Sequence, residues 1–142
     1  MGKRLRTQRR GRGGSNYRSP SHRHVSDVRL PHQDSGTAVI RDLIQAPGRT
    51  CPLAVMTMDG KTVYQLAVEG TRVGQTIAIG SKSVAAGNIT TLAQIPEGTP
   101  VHNVESTPGD GGKFVKTAGT SATVVSRGEK VMVLLPSGQM KE

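Results

Sequence analysis

Short runs of apolar and β-branched residues, separated by glycine and proline turns, characterise the chain from Thr37 onward. Such runs are typical of strands, and they predict strands at 37–45, 51–58, 61–68, 75–81, 87–92 and 101–105. Asp59-Gly60 separates two of these runs and is a strong signal for a two-residue hairpin turn. No stretch shows a convincing helical period. We therefore expect an all-β chain whose strands close into a small barrel, because closure removes exposed sheet edges.

The last third of the chain continues this pattern after a glycine-rich loop at 108–113. A second hairpin is predicted from 121–126 and 130–135, with its turn at Arg127-Gly128. Residues 139–142 follow another turn and resemble the start of a further strand. Two strands and a stub are too few for an independent sheet. We therefore expect the sequence to stop inside a second domain.

Positive charge is concentrated at the start of the chain. Residues 1–31 contain nine arginines and lysines and a single acid, Asp27, whereas the remaining 111 residues contain ten basic and nine acidic groups. Eight of the nine net positive charges therefore lie in the first fifth of the chain. Residues 1–36 are also rich in Arg, Gly, Ser and Pro, which predicts an extended basic arm that orders only on a partner.

Nucleic acid is the partner that such an arm favours; a solubilising tail, an acidic membrane surface and a nuclear-targeting run are the alternatives. Arginine binds a phosphate through two N–H groups and can stack on bases, whereas lysine acts as a point charge. The predicted RNA contacts in the arm are Lys3, Arg4, Arg6, Arg9, Arg10, Arg12, Arg18, His22 and Arg23. The two histidines near 23 stand among arginines, which favours RNA contact or solvation over metal binding.

The glycine-rich loop is a second candidate, because glycine lets backbone N–H groups approach a phosphate closely. Lys113 and Lys116 would add charge there. The loop is not a nucleotide-binding P-loop, since Thr107 stands where that motif needs glycine and Phe114 where it needs Ser or Thr. On these residues alone, a connecting loop is the preferred interpretation.

Several function classes find no support in the residues. Cys51 is the only cysteine, which excludes an internal disulfide and a cysteine zinc cluster and fits a reduced intracellular compartment. No apolar run approaches the roughly 20 residues of a membrane span, and the apolar segment of a secretory signal is absent. The chain has no Gly-x-Ser-x-Gly elbow and no paired carboxylates at a telling spacing. We expect no catalytic residue, no metal site and no cofactor, apart from magnesium that accompanies RNA.

Aromatic residues are scarce, with only Tyr17, Tyr64 and Phe114. General single-strand binders built on small barrels use aromatic rings to stack bases. This chain is therefore expected to bind through charge and shape, as suits folded RNA whose phosphates lie close together. A non-specific nucleic-acid binder or RNA chaperone is the alternative function.

Motifs along the whole chain resemble the universal large-subunit ribosomal protein two family in its archaeal form. The N-terminal ones are MGKR at 1–4, QRRGRG at 8–13 and SPSHR at 19–23. The more specific ones are IPEGTPVHNVE at 95–105 and PGDGGKFVKTAG at 108–119, followed by LPSGQMK at 135–141. Several long motifs in the right order identify the chain as a member of this family.

The resemblance implies an arm at 1–36, an OB-type barrel at 37–106 and an incomplete SH3-like barrel with the glycine-rich loop at 107–142. It implies a structural constituent of the large ribosomal subunit, located in the cytoplasm on the ribosome. Its partners would be large-subunit ribosomal RNA and neighbouring ribosomal proteins, with no membrane, small-molecule substrate or enzymatic activity. Its role would be in subunit assembly and in supporting the peptidyl-transferase region.

The resemblance also assigns site residues where positions match. Arg49 falls where the family has an RNA-contacting arginine after a proline turn. Lys116 falls where many members have arginine, so the charge is kept and the two-pronged fork is lost. His102 and Asn103 in the 95–105 run complete the predicted RNA-binding set, although a lone histidine on a strand is more often structural. Family members continue past residue 142, so the resemblance implies that the part completing the SH3-like barrel, with its histidine loop near catalytic RNA, is missing.

Overall fold

The computed structural model describes residues 2–3, 5–18, 21–31, 35–128 and 130–142. Strands dominate these residues and form two antiparallel sheets of four strands each. One short α-helix precedes them. The expected all-β class is confirmed.

The first sheet contains β1 (Gly36–Ile44), β2 (Leu53–Met58), β3 (Lys61–Leu66) and β4 (Thr76–Ile79), in the order β3-β2-β1-β4. β2 and β3 form the predicted hairpin, in which Met58 pairs with Lys61. The turn residues Asp59 and Gly60 both have positive φ, 49° and 76°, as the favoured two-residue hairpin turn requires. One face of the sheet covers a core made by Ala38, Ile40, Ala54, Met56, Met58, Ile77 and Ile79.

The second sheet contains β5 (Pro100–Val101), β6 (Ala122–Arg127), β7 (Val131–Leu134) and β8 (Met140–Lys141), in chain order. β6 and β7 form the second predicted hairpin. The strand predicted at 101–105 is wrong in its extent, since only Pro100–Val101 is a strand, and it pairs with β6. Asn103 has a φ of 51°, which turns the chain away from an extended path.

The strand predicted at 87–92 is also wrong. Ile89 forms only a single bridge with Ile79, and Leu92–Gln94 is a 3-10 helix. The Asn88 side chain accepts the hydrogen bond of the Ala78 N–H group at 3.0 Å. A side chain thus takes the place that a strand carbonyl would have, and the ladder does not extend.

The arm contains helix α1 (Arg6–Gly11), where the sequence predicted extended chain. Its arginines and glutamine favour helix, and Gly13 follows its end with a φ of 62°, a conformation that commonly terminates helices. No residue of α1 is buried, so local preference alone supports it. The expectation of an extended arm is wrong over Arg6–Gly11 and over Ser21–Arg23, which forms a 3-10 helix.

The last part of the predicted arm packs against the first sheet. Val28 is 5% exposed and belongs to a second small core with Ala46, Leu53 and Leu66. The Leu30 N–H group donates to the Gly111 carbonyl at 3.0 Å. Residues 28–30 therefore join the first sheet to the glycine-rich loop and are not free chain. The domain boundaries at 36/37 and 106/107 stay predictions.

Candidate nucleic-acid interface

Arg49 ends a tight turn that its local sequence specifies. Pro47 and Gly48 are the central residues, Gly48 has a φ of 81°, and the Arg49 N–H group donates to the Ala46 carbonyl at 3.2 Å. In a type II turn, proline presets the first central residue and glycine accepts the positive φ of the second. The half-buried Arg49 guanidinium donates through Nη2 to the Ser26 carbonyl at 3.4 Å. The turn and this bond together hold Arg49 over the docked end of the arm.

Two carboxylates organise the glycine-rich loop between β5 and β6. Glu105 accepts hydrogen bonds from the N–H groups of Gly109 and Gly111, at 3.0 and 2.9 Å. Asp110 accepts three more at 3.1–3.2 Å, from the N–H groups of Ser106, Thr107 and Gly112. Because these N–H groups bind the chain's own carboxylates, they are not available to form a phosphate cradle. The loop is a rigid connection, in line with the preferred interpretation of its sequence.

The charge of Asp110 depends on this arrangement. Desolvation acts to raise the pKa of Asp110, but hydrogen bonds from the backbone and from Lys113 outweigh it and hold that pKa below its usual value. The carboxylate therefore stays ionised down to a lower pH than a free one. An ionised acceptor makes stronger hydrogen bonds than a neutral one, which favours the rigid loop.

Asn103 and Gly112 touch where the loop returns to the body of the protein. Asn103 is only 4% exposed, and its Nδ2 donates to Gln65 Oε1 at 3.4 Å. A Cβ atom on Gly112 would stand 2.8 Å from Asn103 Cγ, and Gly112 has a φ of 92°. Glycine is required here for both space and backbone conformation. Since the Asn103 side chain faces the interior, it supports the loop, and its direct contact with RNA stays a prediction.

The segments that carry Arg49 and Lys116 meet, although the two residues belong to different interstrand connections. The Ala118 N–H group donates to Thr50 Oγ1 at 3.1 Å, which fastens the two segments together. Burial lowers the pKa of Lys116, the positive charge of Arg49 lowers it further, and two nearby carboxylates oppose the shift. The structure thus brings two predicted RNA contacts together as like charges, called the Arg49–Lys116 pair below.

The backbone next to Lys116 is strained. Val115 has a φ of 55°, which a β-branched residue rarely adopts. Its carbonyl accepts the Asn103 N–H group at 2.9 Å, and the Lys116 ammonium donates to the Gly112 carbonyl at 2.8 Å. Strain of this kind, roughly 1–3 kcal/mol, persists only where the surroundings impose it. Here the loop imposes it and fixes the position of Lys116.

Further charged groups stand near the glycine-rich loop. Lys113 Nζ lies 3.4 Å from Asp110 Oδ2, and its side chain is 62% exposed. Arg29 Nη2 lies 3.9 Å from Asp27 Oδ2, and both side chains are exposed. His102 is exposed, but partial desolvation of its imidazole lowers its pKa. His102 is therefore neutral at pH 7 and adds no positive charge.

The arm residues predicted to bind RNA are exposed. They are Lys3, Arg6, Arg9, Arg10, Arg12, Arg18, His22 and Arg23. Arg4 lies outside the described residues. In the described part of the chain, none of these eight residues is hydrogen-bonded to the turn that carries Arg49 or to the loop that carries Lys116. The structure therefore separates an exposed basic arm from a fixed pair of cations on the body.

Sequence reasoning misses the part that residues 26–30 play in this interface. The signal in the sequence was the presence of Val28 and Leu30 in an otherwise polar arm. Apolar side chains indicate burial, and a free arm would leave them exposed. Gln65 is missed as well, although it is 6% exposed and its Nε2 donates to the Arg29 carbonyl. No local pattern distinguishes this glutamine from a surface residue on a strand.

The last features to consider are a reactive thiol, a metal site and a membrane-spanning helix. Burial raises the pKa of the Cys51 thiol, despite its hydrogen bond to the Ala67 carbonyl at 3.3 Å, so the reactive thiolate is disfavoured. Across the described ranges, no cluster of three or more His, Cys, Asp or Glu could hold a metal ion. No helix in the described part of the chain is long and apolar enough to cross a membrane.

Comparison with known proteins gives a consistent result. The family profile described as Ribosomal Proteins L2, C-terminal domain, matches residues 85–142. The large ribosomal subunit protein uL2 of Thermoplasma acidophilum is 54% identical over 144 residues, a match that covers 100% of this chain and 61% of that protein. The uL2 proteins of Archaeoglobus fulgidus and Haloarcula marismortui are 45% and 44% identical, and each match covers 99% of this chain and 62% or 61% of the relative. The chain thus spans about three fifths of the length of the archaeal relatives that it matches.

Proposed function

The chain belongs to the uL2 family of large ribosomal subunit proteins, and on this premise we propose that it binds large-subunit ribosomal RNA as a structural component of the cytoplasmic ribosome. Its relatives carry the name of a large-subunit protein. We assign it a structural rather than an enzymatic role. Its partners are ribosomal RNA and the neighbouring ribosomal proteins.

The observation that carries this proposal is the Arg49–Lys116 pair. Two positive groups that are partly buried near each other repel; burial lowers the pKa of Lys116, and the charge of Arg49 lowers it further. An anion between them would remove the repulsion and satisfy both. Phosphate groups of folded RNA supply such an anion at a fixed place, whereas a flexible single strand must first lose conformational entropy to offer it.

The arm makes the second contribution to RNA binding, and this contribution is independent of the RNA sequence. Its exposed arginines neutralise phosphates and release counterions, which strengthens binding at low salt. The Arg49–Lys116 pair, with Lys113 nearby, sets the position of the protein on one folded site. Arg49 can grip a phosphate through two N–H groups, and Lys116 adds a point charge.

We also propose the finer architecture that the family implies. The first sheet would belong to an OB-type barrel at 37–106, and strands β6, β7 and β8 of the second sheet to an incomplete SH3-like barrel at 107–142. Strand β5, which pairs with β6, lies within 37–106. The antiparallel β1–β3 meander supports the first assignment, and the β6–β7 hairpin supports the second. In the ribosome this body would act in subunit assembly and support the peptidyl-transferase region.

A salt series of RNA binding tests the proposal. The protein is titrated into a folded fragment of large-subunit ribosomal RNA and into an unstructured RNA of equal length, from low to physiological salt. The proposal expects a preference for the folded fragment that persists as salt rises, because the fixed pair recognises shape. Equal affinities that collapse together with salt would instead indicate a non-specific polyanion binder.

A further inference from the structure

The three aromatic residues of the chain differ in their surroundings. Tyr64 is half-buried and packs on the core that contains Leu53 and Val28. Phe114 is half-buried, and the Lys141 ammonium lies 4.6 Å from the centre of its ring. Tyr17 is 47% exposed and stands in the basic arm, away from both cores. Of the three rings, Tyr17 alone presents a large open face to solvent.

Local backbone structure holds the Tyr17 ring against an arginine. The Tyr17 N–H group donates to the Gly14 carbonyl at 2.8 Å, and Gly13, with a φ of 62°, reverses the chain after α1. This reversal brings the ring to 5.9 Å from the guanidinium carbon of Arg10. A cation over one face of an aromatic ring is attracted by the ring electrons, and with Arg10 in this position Tyr17 is still 47% exposed.

We propose that Tyr17 is a stacking site for an unpaired nucleobase of the bound RNA, with Arg10 covering the opposite face of the ring. The inference rests on the proposed function and deepens it, because it adds a base contact to an arm otherwise expected to bind phosphates only. Every nucleobase has a flat face that stacks on an aromatic side chain, and duplex bases are already stacked on each other. Unpaired bases in loops and bulges are therefore the ligand that this ring fits.

The surrounding charges suit this ligand. Arg9, Arg12 and Arg18 flank the ring along the chain and are exposed, so they can contact the phosphates on either side of a stacked base. A membrane surface is the less suitable partner, because the helix next to Tyr17 has no apolar stripe to enter lipid. Tyr17 would thus give the arm a preference for RNA with exposed bases.

Ring replacement in the full chain tests the proposal. Tyr17→Leu keeps an apolar side chain and removes the ring, and it should weaken binding to folded large-subunit RNA with unpaired loops by roughly 5- to 150-fold, the range for losing one stacked base. Tyr17→Phe keeps the ring and should bind within about twofold of the unchanged protein. Leu5→Ala is the matched control, since Leu5 is an exposed apolar residue of the same arm, and it should leave affinity unchanged.

A direct spectroscopic reading accompanies these affinities. With carbon-13-labelled tyrosine the chain gives signals from only two rings, and Tyr17→Leu identifies the one that belongs to the arm. Stacking on a base should move the Tyr17 ring protons upfield on RNA addition. Three results would each overturn the proposal. Tyr17→Leu could bind folded RNA with unchanged affinity, or it could lose as much affinity for fully duplex RNA as for folded RNA. The ring signal could also shift with anionic phospholipid vesicles but not with RNA. If Arg49→Ala still abolishes the folded-RNA preference in those cases, the proposed function stands and only the stacking site fails.

Discussion

Burial lowers the pKa of Lys116 and the positive charge of Arg49 lowers it further, although Arg49 lies between β1 and β2 and Lys116 between β5 and β6. Neither sheet alone can bring these charges together. The hydrogen bond between Ala118 and Thr50 and the docked residues 28–30 complete the arrangement. The proposed recognition of RNA by this pair therefore requires the folded chain, whereas the proposed attraction of RNA by the arm does not.

Gly112 should be among the least replaceable glycines. Gly112→Ala places a methyl group against the Asn103 side chain at a φ of 92°. Gly119→Ala is a matched control, because Gly119 also has a positive φ, 73°, but nothing lies within 4 Å of its added Cβ. The backbone cost of about 1–2 kcal/mol is common to both, and Gly112→Ala should lose roughly 1–3 kcal/mol more through overpacking. Urea denaturation followed by circular dichroism measures the difference, and equal losses would show that the space around Gly112 beside Asn103 is not tight.

Asp110 should make stability depend on pH in the acid range. The pKa of Asp110 is lowered on folding from its usual 3.8, so its contribution is complete above that value and is lost as pH falls through the folded-state pKa. Asp110→Asn should lower Tm by a few degrees at pH 7, and the gap should narrow towards pH 2. Glu69→Gln at an exposed turn makes the same charge change and should leave Tm nearly unaltered. A constant gap between Asp110→Asn and the unchanged protein over the whole range would contradict this role.

The arm arginines should control how strongly binding depends on salt. Replacing Arg6, Arg9 and Arg12 by glutamine removes three exposed charges and leaves the body intact. The slope of log affinity against log salt should fall by about 0.7–0.9 for each phosphate that the arm no longer neutralises, while the preference for folded RNA is retained. Fluorescence anisotropy at several salt concentrations gives both quantities. An unaltered slope would mean that the body, and not the arm, neutralises the phosphates.

Local signals account for the parts of the fold that sequence predicts correctly. Asp59-Gly60 specifies its own turn, so the β2–β3 hairpin follows from residues adjacent in the chain. The strand prediction for residues 87–92 is wrong because the Asn88 side chain competes for a strand N–H group. The alternation of apolar residues carries no information about that competition. The burial of Val28 was not predicted for a related reason, because its partner Leu66 is remote in sequence.

The candidate site shows the same division. The excess of arginine predicts the exposed basic arm, and the Ala46-Pro47-Gly48-Arg49 turn can be read directly from its residues. The proximity of Arg49 to Lys116 could not be predicted from spacing, because it depends on how the two interstrand connections meet. Composition indicates the kind of ligand, and tertiary structure determines where it would bind.

A double-mutant cycle on Arg49 and Lys116, measured on a folded large-subunit RNA fragment, tests the central claim most directly. Arg49→Ala alone should weaken binding by roughly 1–3 kcal/mol, the range for a hydrogen bond between charged groups. Lys116→Ala should also weaken it, and the double variant should depart from additivity by at least about 0.5 kcal/mol, as residues sharing one partner do. Lys82 follows β4 at the end of the first sheet opposite to Arg49, so Arg49→Ala with Lys82→Ala is the additive control. Non-additivity confined to Arg49 and Lys116 would support a shared RNA site, whereas wild-type affinity in Arg49→Ala, or additivity within about 0.3 kcal/mol in both pairs, would contradict it.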